Sequence, residues 1–270
     1  MAHYGRLAGV MLFENARTLS PRVTIFDAIA VATDGTEVLG SVRHFNSQED
    51  QPPIKVPNGV YLAEIRVVIR EDGFNVFSEE PSRYAFVGDL KRWTPIEVLD
   101  PSPPAATITI LGLTTKDDKK AGTFEMEAEQ YSLAHAEAKS AAENAAKDSG
   151  RPAVPPPKSM LRVAGFFNAD SPRYKNKKFP VPWLGRLSFV IGTLAGVSEE
   201  LEGTAVIKRL RLEVDDVTFV NGPSGGATGP PVTPAPAASS SGQSRFSSYS
   251  RKRARVEDAP PTSSPTPNSS

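Results

Sequence analysis

Cysteine is absent from this 270-residue chain. That excludes disulfides, Cys-ligated zinc or iron–sulfur centres and a thiol nucleophile. Histidine is scarce: His3, His44 and His135 stand far apart, so no His-rich metal site is expected. Long hydrophobic runs are missing as well. The longest mostly apolar one, Leu187 to Val197, is about half the ~20 residues a membrane helix needs. No charged segment leads into a signal-type apolar core at the N-terminus, so a soluble, intracellular chain with no membrane partner is expected. Charge of one sign does not dominate either. There are 31 Lys+Arg against 31 Asp+Glu, which gives no global push toward nucleic acid.

Catalytic signatures are also lacking. Neither the P-loop pattern nor G-x-G-x-x-G occurs, and the glycines of Gly222–Gly229 precede no helix that would hold a phosphate. Asp215 and Asp216 are adjacent on a strand-like run and point to opposite faces, so they are not expected to share a proton or a metal. Asp27 is the odd residue of its run. It shares the parity of Ile25 and Ile29, which faces the core in a regular strand, and so marks a bulge or an edge. The chain is expected to be no enzyme, with no cofactor, no catalytic residue and no metal site.

What is there changes abruptly along the chain. From Pro223 to Ser270 there is no Leu, Ile, Met or Trp, and the only aromatics are Phe246 and Tyr249. Such a segment buries too little apolar surface to offset its ordering entropy, so 222–270 reads as a disordered tail. An internal stretch, about 133–158, reads as a helical or disordered insertion. Leu133 to Asp148 is Ala-rich and helix-prone but has no stripe of large apolar residues, and an isolated helix of that length is marginal. A Pro-rich connector, Arg151 to Lys158, follows it.

The rest alternates with the period of strands. In Val60–Arg70, Tyr61, Ala63, Ile65, Val67 and Ile69 share a face, and in Lys208–Val214, Leu210, Leu212 and Val214 do. Further β-like runs are Gly9–Phe13, Val23–Ala32, Glu37–Phe45, Tyr84–Val87, Thr107–Leu113, Thr123–Tyr131, Met160–Phe167, Leu187–Leu194 and Val217–Val220. Asp34-Gly35, Asn58-Gly59 and Asp72-Gly73 supply hairpin turn chemistry. The prolines at 101, 103 and 104 are the best boundary. The expected fold is all-β, with two small domains, 1–100 and 105–221, each an OB-like barrel or a short sandwich. No repeat of 20–50 residues is visible.

One segment is chemically biased. From Ser171 to Arg186 the chain holds Arg173, Lys175, Lys177, Lys178 and Arg186 with no acid, interleaved with Tyr174, Phe179 and Trp183. Cations engage phosphates and flat rings stack on bases, the combination used on single strands. Pro172, Pro180 and Pro182 limit the entropy lost on binding. Arg162, Phe166, Arg209 and Arg211 on neighbouring strands extend the patch. These residues are the candidate site for single-stranded DNA or RNA. The competing reading is a loop anchored on the core by Phe179 and Trp183, in a module that scaffolds a protein complex.

In the tail, Arg251, Lys252, Arg253 and Arg255 form a basic cluster followed by Glu257 and Asp258. It is similar to monopartite nuclear localisation signals, which implies a nuclear import receptor as partner and the nucleus as location. The run DSPRYKNKKFPVPWLGR, with LSFVIGTLAGV and LEVDDVTFV after it, resembles an uncharacterised group of fungal β-rich proteins over about residues 107–221. The resemblance implies a β-fold and carries no activity or site residues with it.

Overall fold

A computed structural model describes residues 3–46, 58–71, 74, 76, 78, 80–97, 103–150, 152, 158–175, 177–203 and 205–220. The tail, its basic cluster and Asp72-Gly73 lie outside the described residues. So do positions 101 and 102 of the expected boundary.

The described residues form ten strands and one α-helix: β1 (Tyr4–Ser20), β2 (Val23–Val31), β3 (Glu37–Phe45), β4 (Gly59–Ile69), β5 (Phe86–Pro95), β6 (Thr107–Asp118), β7 (Thr123–Glu129), α1 (Leu133–Ser149), β8 (Met160–Phe166), β9 (Leu187–Glu202) and β10 (Ala205–Phe219). Strands β1 to β5 pair in the circuit β1-β2-β3-β5-β4-β1, closed on itself, with β3 and β5 parallel. Strands β6 to β10 repeat it as β6-β7-β8-β10-β9-β6, with β8 and β10 parallel. Each circuit is a five-stranded OB-like barrel, and closure removes the free edges that an open sheet leaves. The two circuits start 103 residues apart, at Tyr4 and Thr107.

The barrels are joined strand to strand. Tyr4–Ala8 of β1 pair antiparallel with Thr107–Leu111 of β6, and further along the same strand Met11–Ser20 pair with β2. Gly9 stands at the change of partner with φ +152, where a Cβ would meet Ala106 Cα at 3.0 Å. Gln130 fastens the joint. Its Oε1 accepts from Gly5 N at 2.9 Å, and its Nε2 donates to Gly5 O at 3.2 Å and to Val67 O. Residues 1–224 accordingly form one unit.

Alternation explains the interiors. Leu7, Met11, Phe13, Phe26, Ala28, Val42, Ile65 and Phe86 fill the first barrel, and Ile108, Ile110, Met126, Leu161, Val163, Val190 and Leu210 the second. The core face of β2 is therefore Phe26, Ala28 and Ala30. Asp27 lies on the opposite parity, which corrects the expectation that it points inward. It is buried outside the barrel, where its carboxylate accepts from Asn15 Nδ2 at 2.8 Å, from Tyr84 Oη at 2.9 Å and from Arg17. Strand β2 itself is neither bulged nor an edge: it runs in continuous register along β3, and the bulge lies in its other partner, between Glu14 and Arg17 of β1, where Asn15 takes φ +50.

Helix α1 is ordered because it is not isolated. Ser132 caps it by accepting from His135 N at 3.1 Å, and Gly150 closes it at φ +64. Ala134 and Ala138 pack against Val68, Phe74, Val76, Tyr84 and Val87 on the outer face of the first barrel. That surface is what the chain supplies in place of a stripe on the helix itself.

At the same contact, Leu133 N donates to both oxygens of Asp89 at 3.3 Å. Burial pushes the Asp89 carboxyl above the ordinary carboxylate range, against the opposing effects of that amide, Lys91, Arg43 and Arg66. A carboxyl raised in the folded state holds its proton where the unfolded chain has lost it, so stability falls as pH rises above about 4 toward the folded value. Asp89→Asn is expected to remove that slope. The check is urea unfolding of both proteins at a series of mildly acidic pH values.

Candidate nucleic-acid interface

The basic-aromatic segment is the connection between β8 and β9. Its first half is an anchor. The Tyr174 ring is 7% exposed and meets Phe167 edge-on at 5.0 Å, while Phe179 stacks on Phe167 at 5.4 Å and Phe124 lies behind at 5.9 Å. Tyr174 Oη donates to the Asp215 carbonyl at 3.0 Å, and burial pushes this hydroxyl above its ordinary range. The two rings plug the end of the second barrel. Gly122, at φ +71 in the β6–β7 turn, lies beneath Phe179 so closely that a Cβ would stand 2.6 Å from the ring.

The second half turns outward. Val181 and Pro182 are buried, and Trp183 then emerges 46% exposed, resting on Phe219 at 5.5 Å with the Arg186 guanidinium 4.8 Å from its centroid. Backbone bonds fix this turn on β6: Gly185 N donates to Thr114 O at 2.8 Å, Thr114 N to Arg186 O at 3.0 Å, and Leu184 N to Asp117 Oδ1 at 3.2 Å. Gly185 makes the turn possible with φ +74.

The cations divide in the same way. Arg173 is paired with Asp216 at 2.6 Å. Arg162 is held by Glu71 and Glu127, and Arg209 by Glu125, Glu200 and Glu202. These three are already neutralised, and Arg162 and Arg209 do not extend a phosphate-binding patch. Lys175, Lys177 and Lys178 are exposed and have no ion pair among the described residues.

Asp117 belongs both to this turn and to a groove of about 710 Å³ on the outer face of the second barrel. Its floor is Ala164 and Gly165 of β8, with Phe166 beside them and the Arg211 guanidinium 5.4 Å from the Phe166 ring. Lys116 and Lys119 stand on the rim. The hydrogen bond to Glu125 holds the Lys116 ammonium above its usual range. Small residues beside an aromatic ring, with a guanidinium over that ring, make a slot suited to a planar heterocycle. The sequence names Phe166 and Arg211 only as neighbours of the loop. The slot itself depends on β8 and β10 being parallel partners, which a sequence does not display.

No family model matches the chain, and no curated protein does. Solved structures matched by its fold include a deletion mutant of the single-stranded DNA binding protein from Thermus aquaticus. That match has 12% identity and a TM-score of 0.38, covering 84% of this chain and 98% of the other. Among the described residues no group of His, Asp and Glu is placed to hold a metal, and no helix is long and apolar enough to cross a membrane.

Proposed function

We propose that this is a non-enzymatic protein that binds single-stranded nucleic acid through its second barrel. The observation that carries the reading is the exposed Trp183, with Arg186 over its ring, in the same connection as Lys175, Lys177 and Lys178 and tied through Leu184 and Asp117 to the groove at Phe166 and Arg211. A base stacks on Trp183 in place of Arg186, whose charge then turns to a phosphate. A neighbouring base enters the slot, and the three lysines follow the backbone. Strands β7 and β8 are the second and third of their barrel, the face that OB barrels offer to oligonucleotides.

The test is fluorescence anisotropy of the full chain with labelled single- and double-stranded oligonucleotides across a salt series. Binding to the single strand should weaken linearly in log salt. Replacing Lys175, Lys177 and Lys178 together by Ala should reduce the slope by about 2, at ~0.7 per phosphate contact on single strands. No binding at low salt sinks the reading, and an unchanged slope removes the lysines from it.

The basic cluster Arg251, Lys252, Arg253 and Arg255 would bring the protein to the nucleus through an import receptor. Lys252→Ala with Arg253→Ala in a fluorescent fusion should redistribute it to the cytoplasm, and unchanged nuclear accumulation refutes that role. One observation favours a protein scaffold instead: Leu113, Leu184, Leu201 and Val206 are exposed apolar residues on the second barrel. In that case a second protein, rather than an oligonucleotide, protects the Trp183 turn.

A further inference from the structure

The first barrel has a face built on the same plan as the slot. In the second barrel the parallel ladder runs Gly165 opposite Leu212 and Phe166 opposite Glu213. In the first it runs Val42 opposite Gly88 and Arg43 opposite Asp89. Val42 faces inward, as Gly165 does where it meets the Phe124 ring. Arg43 therefore stands on the first barrel where Phe166 stands on the second. Part of this face is sealed by Phe74, Val76, Tyr84 and α1. At its other end a hollow of about 330 Å³ is left, lined by Val23, Arg43, Phe45 and, from α1, Leu133, Ala136 and Glu137.

We propose that Arg43, Phe45 and Lys91 form a second contact for a single strand, held shut by Glu137. This rests on the reading above, because it assigns the same class of ligand. Phe45 is 50% exposed, a large aromatic surface at the end of a strand with no described ring upon it. Lys91 is exposed and is the extra residue of a bulge, between Leu90 opposite Ile65 and Arg92 opposite Glu64. It has no ion pair among the described residues. Phe45 and Lys91 each lie two residues past the Arg43–Asp89 pair, at the same end of the face.

The Arg43 guanidinium is paired with the carboxylate of Glu137, whose own side chain is 45% exposed. A carboxylate on a guanidinium occupies the position a phosphate takes. On this face α1 is held by that pair, by the Leu133 amide on Asp89 and by the packing of Ala134 and Ala138. An incoming strand replaces Glu137 by a phosphate on Arg43, stacks a base on Phe45 and pairs Lys91 with the next phosphate. The charged groups lining this hollow are Arg43 and Glu137; Asp89 is the ladder partner of Arg43, and Lys91 follows it two residues on.

The experiment is photochemical crosslinking of the full chain to iodouracil-substituted oligodeoxythymidine, with adducts mapped by mass spectrometry. It is run alongside anisotropy with a short oligonucleotide, sufficient for one barrel, and a long one. The wild-type protein is expected to be labelled chiefly on peptides bearing Phe166 or Trp183. Glu137→Arg is expected to add label on the Phe45 peptide and to raise affinity for the long oligonucleotide by roughly fivefold or more, the effect of one added stack. The short one should bind as before. Glu137→Gln should give a smaller gain, and Phe45→Ala in the Glu137→Arg protein should abolish it. An unlabelled Phe45 peptide in Glu137→Arg, with affinity for the long oligonucleotide unchanged and second-barrel adducts present, overturns this inference and leaves the function of the second barrel standing. Absence of adducts on both barrels overturns both.

Discussion

Replacing Trp183 and Phe166 together by Ala is expected to lower affinity for a single-stranded oligonucleotide by about 30-fold or more. Each ring offers one base a flat partner, and a base–aromatic stack contributes ~1–3 kcal/mol when measured by such a substitution. Trp183→Ala alone should account for about half of the loss in free energy. It should leave the thermal midpoint close to that of the parent, because the ring is half in solvent and the turn is fixed by backbone bonds from Leu184 and Gly185. Phe166→Ala keeps the β8 ladder but removes the partner of Arg211. Anisotropy at fixed salt reads the binding change, and a thermal melt of each variant separates it from unfolding. Affinity of the double variant within twofold of the parent would remove both rings from the interface.

The strands were legible because side-chain alternation is a local property. The faces of β4 and β10 follow from reading every second residue. Strand ends were less so. The outer half of β5, Lys91–Pro95, is polar, contains a bulge and ends on proline, yet it pairs with β4 as far as Tyr61. The first residues of β1 carry arginine and glycine, and they are strand because β6 supplies a second partner. Pairing of that kind is non-local, and composition does not record it.

The same limit applies to the site. Sequence put five cations and three rings in one segment and gave them one role. Folding separates them, because β10 brings Asp216 to Arg173 and the Asp215 carbonyl to Tyr174. Zero net charge hides this sorting. The tail carries five cations against two acids, leaving 26 against 29 for the body, and much of the body's positive charge is spent inside pairs such as Arg209 with Glu125, Glu200 and Glu202. What is left for a phosphate is local: three lysines and Arg211.

Tyr174→Ala tests that sorting by its opposite signature, since it should cost stability rather than contacts. A buried aromatic truncated to Ala typically destabilises by ~3–5 kcal/mol, the removed surface and the cavity both contributing. Here the ring seals the barrel end between Phe167 and Phe179, so its loss frees those two rings as well. Tyr174→Phe keeps the packing and gives up only the hydrogen bond to Asp215, at ~0.5–1.5 kcal/mol. Its affinity for a single strand should match the parent's, whereas a hydroxyl in direct contact with a base would make even this change felt. Urea unfolding followed by tryptophan fluorescence measures the stability, and anisotropy well below the transition measures the binding. Should Tyr174→Ala unfold at the parent's midpoint and bind poorly, Tyr174 is a stacking platform and the loop's inner half, not its outer half, is the interface.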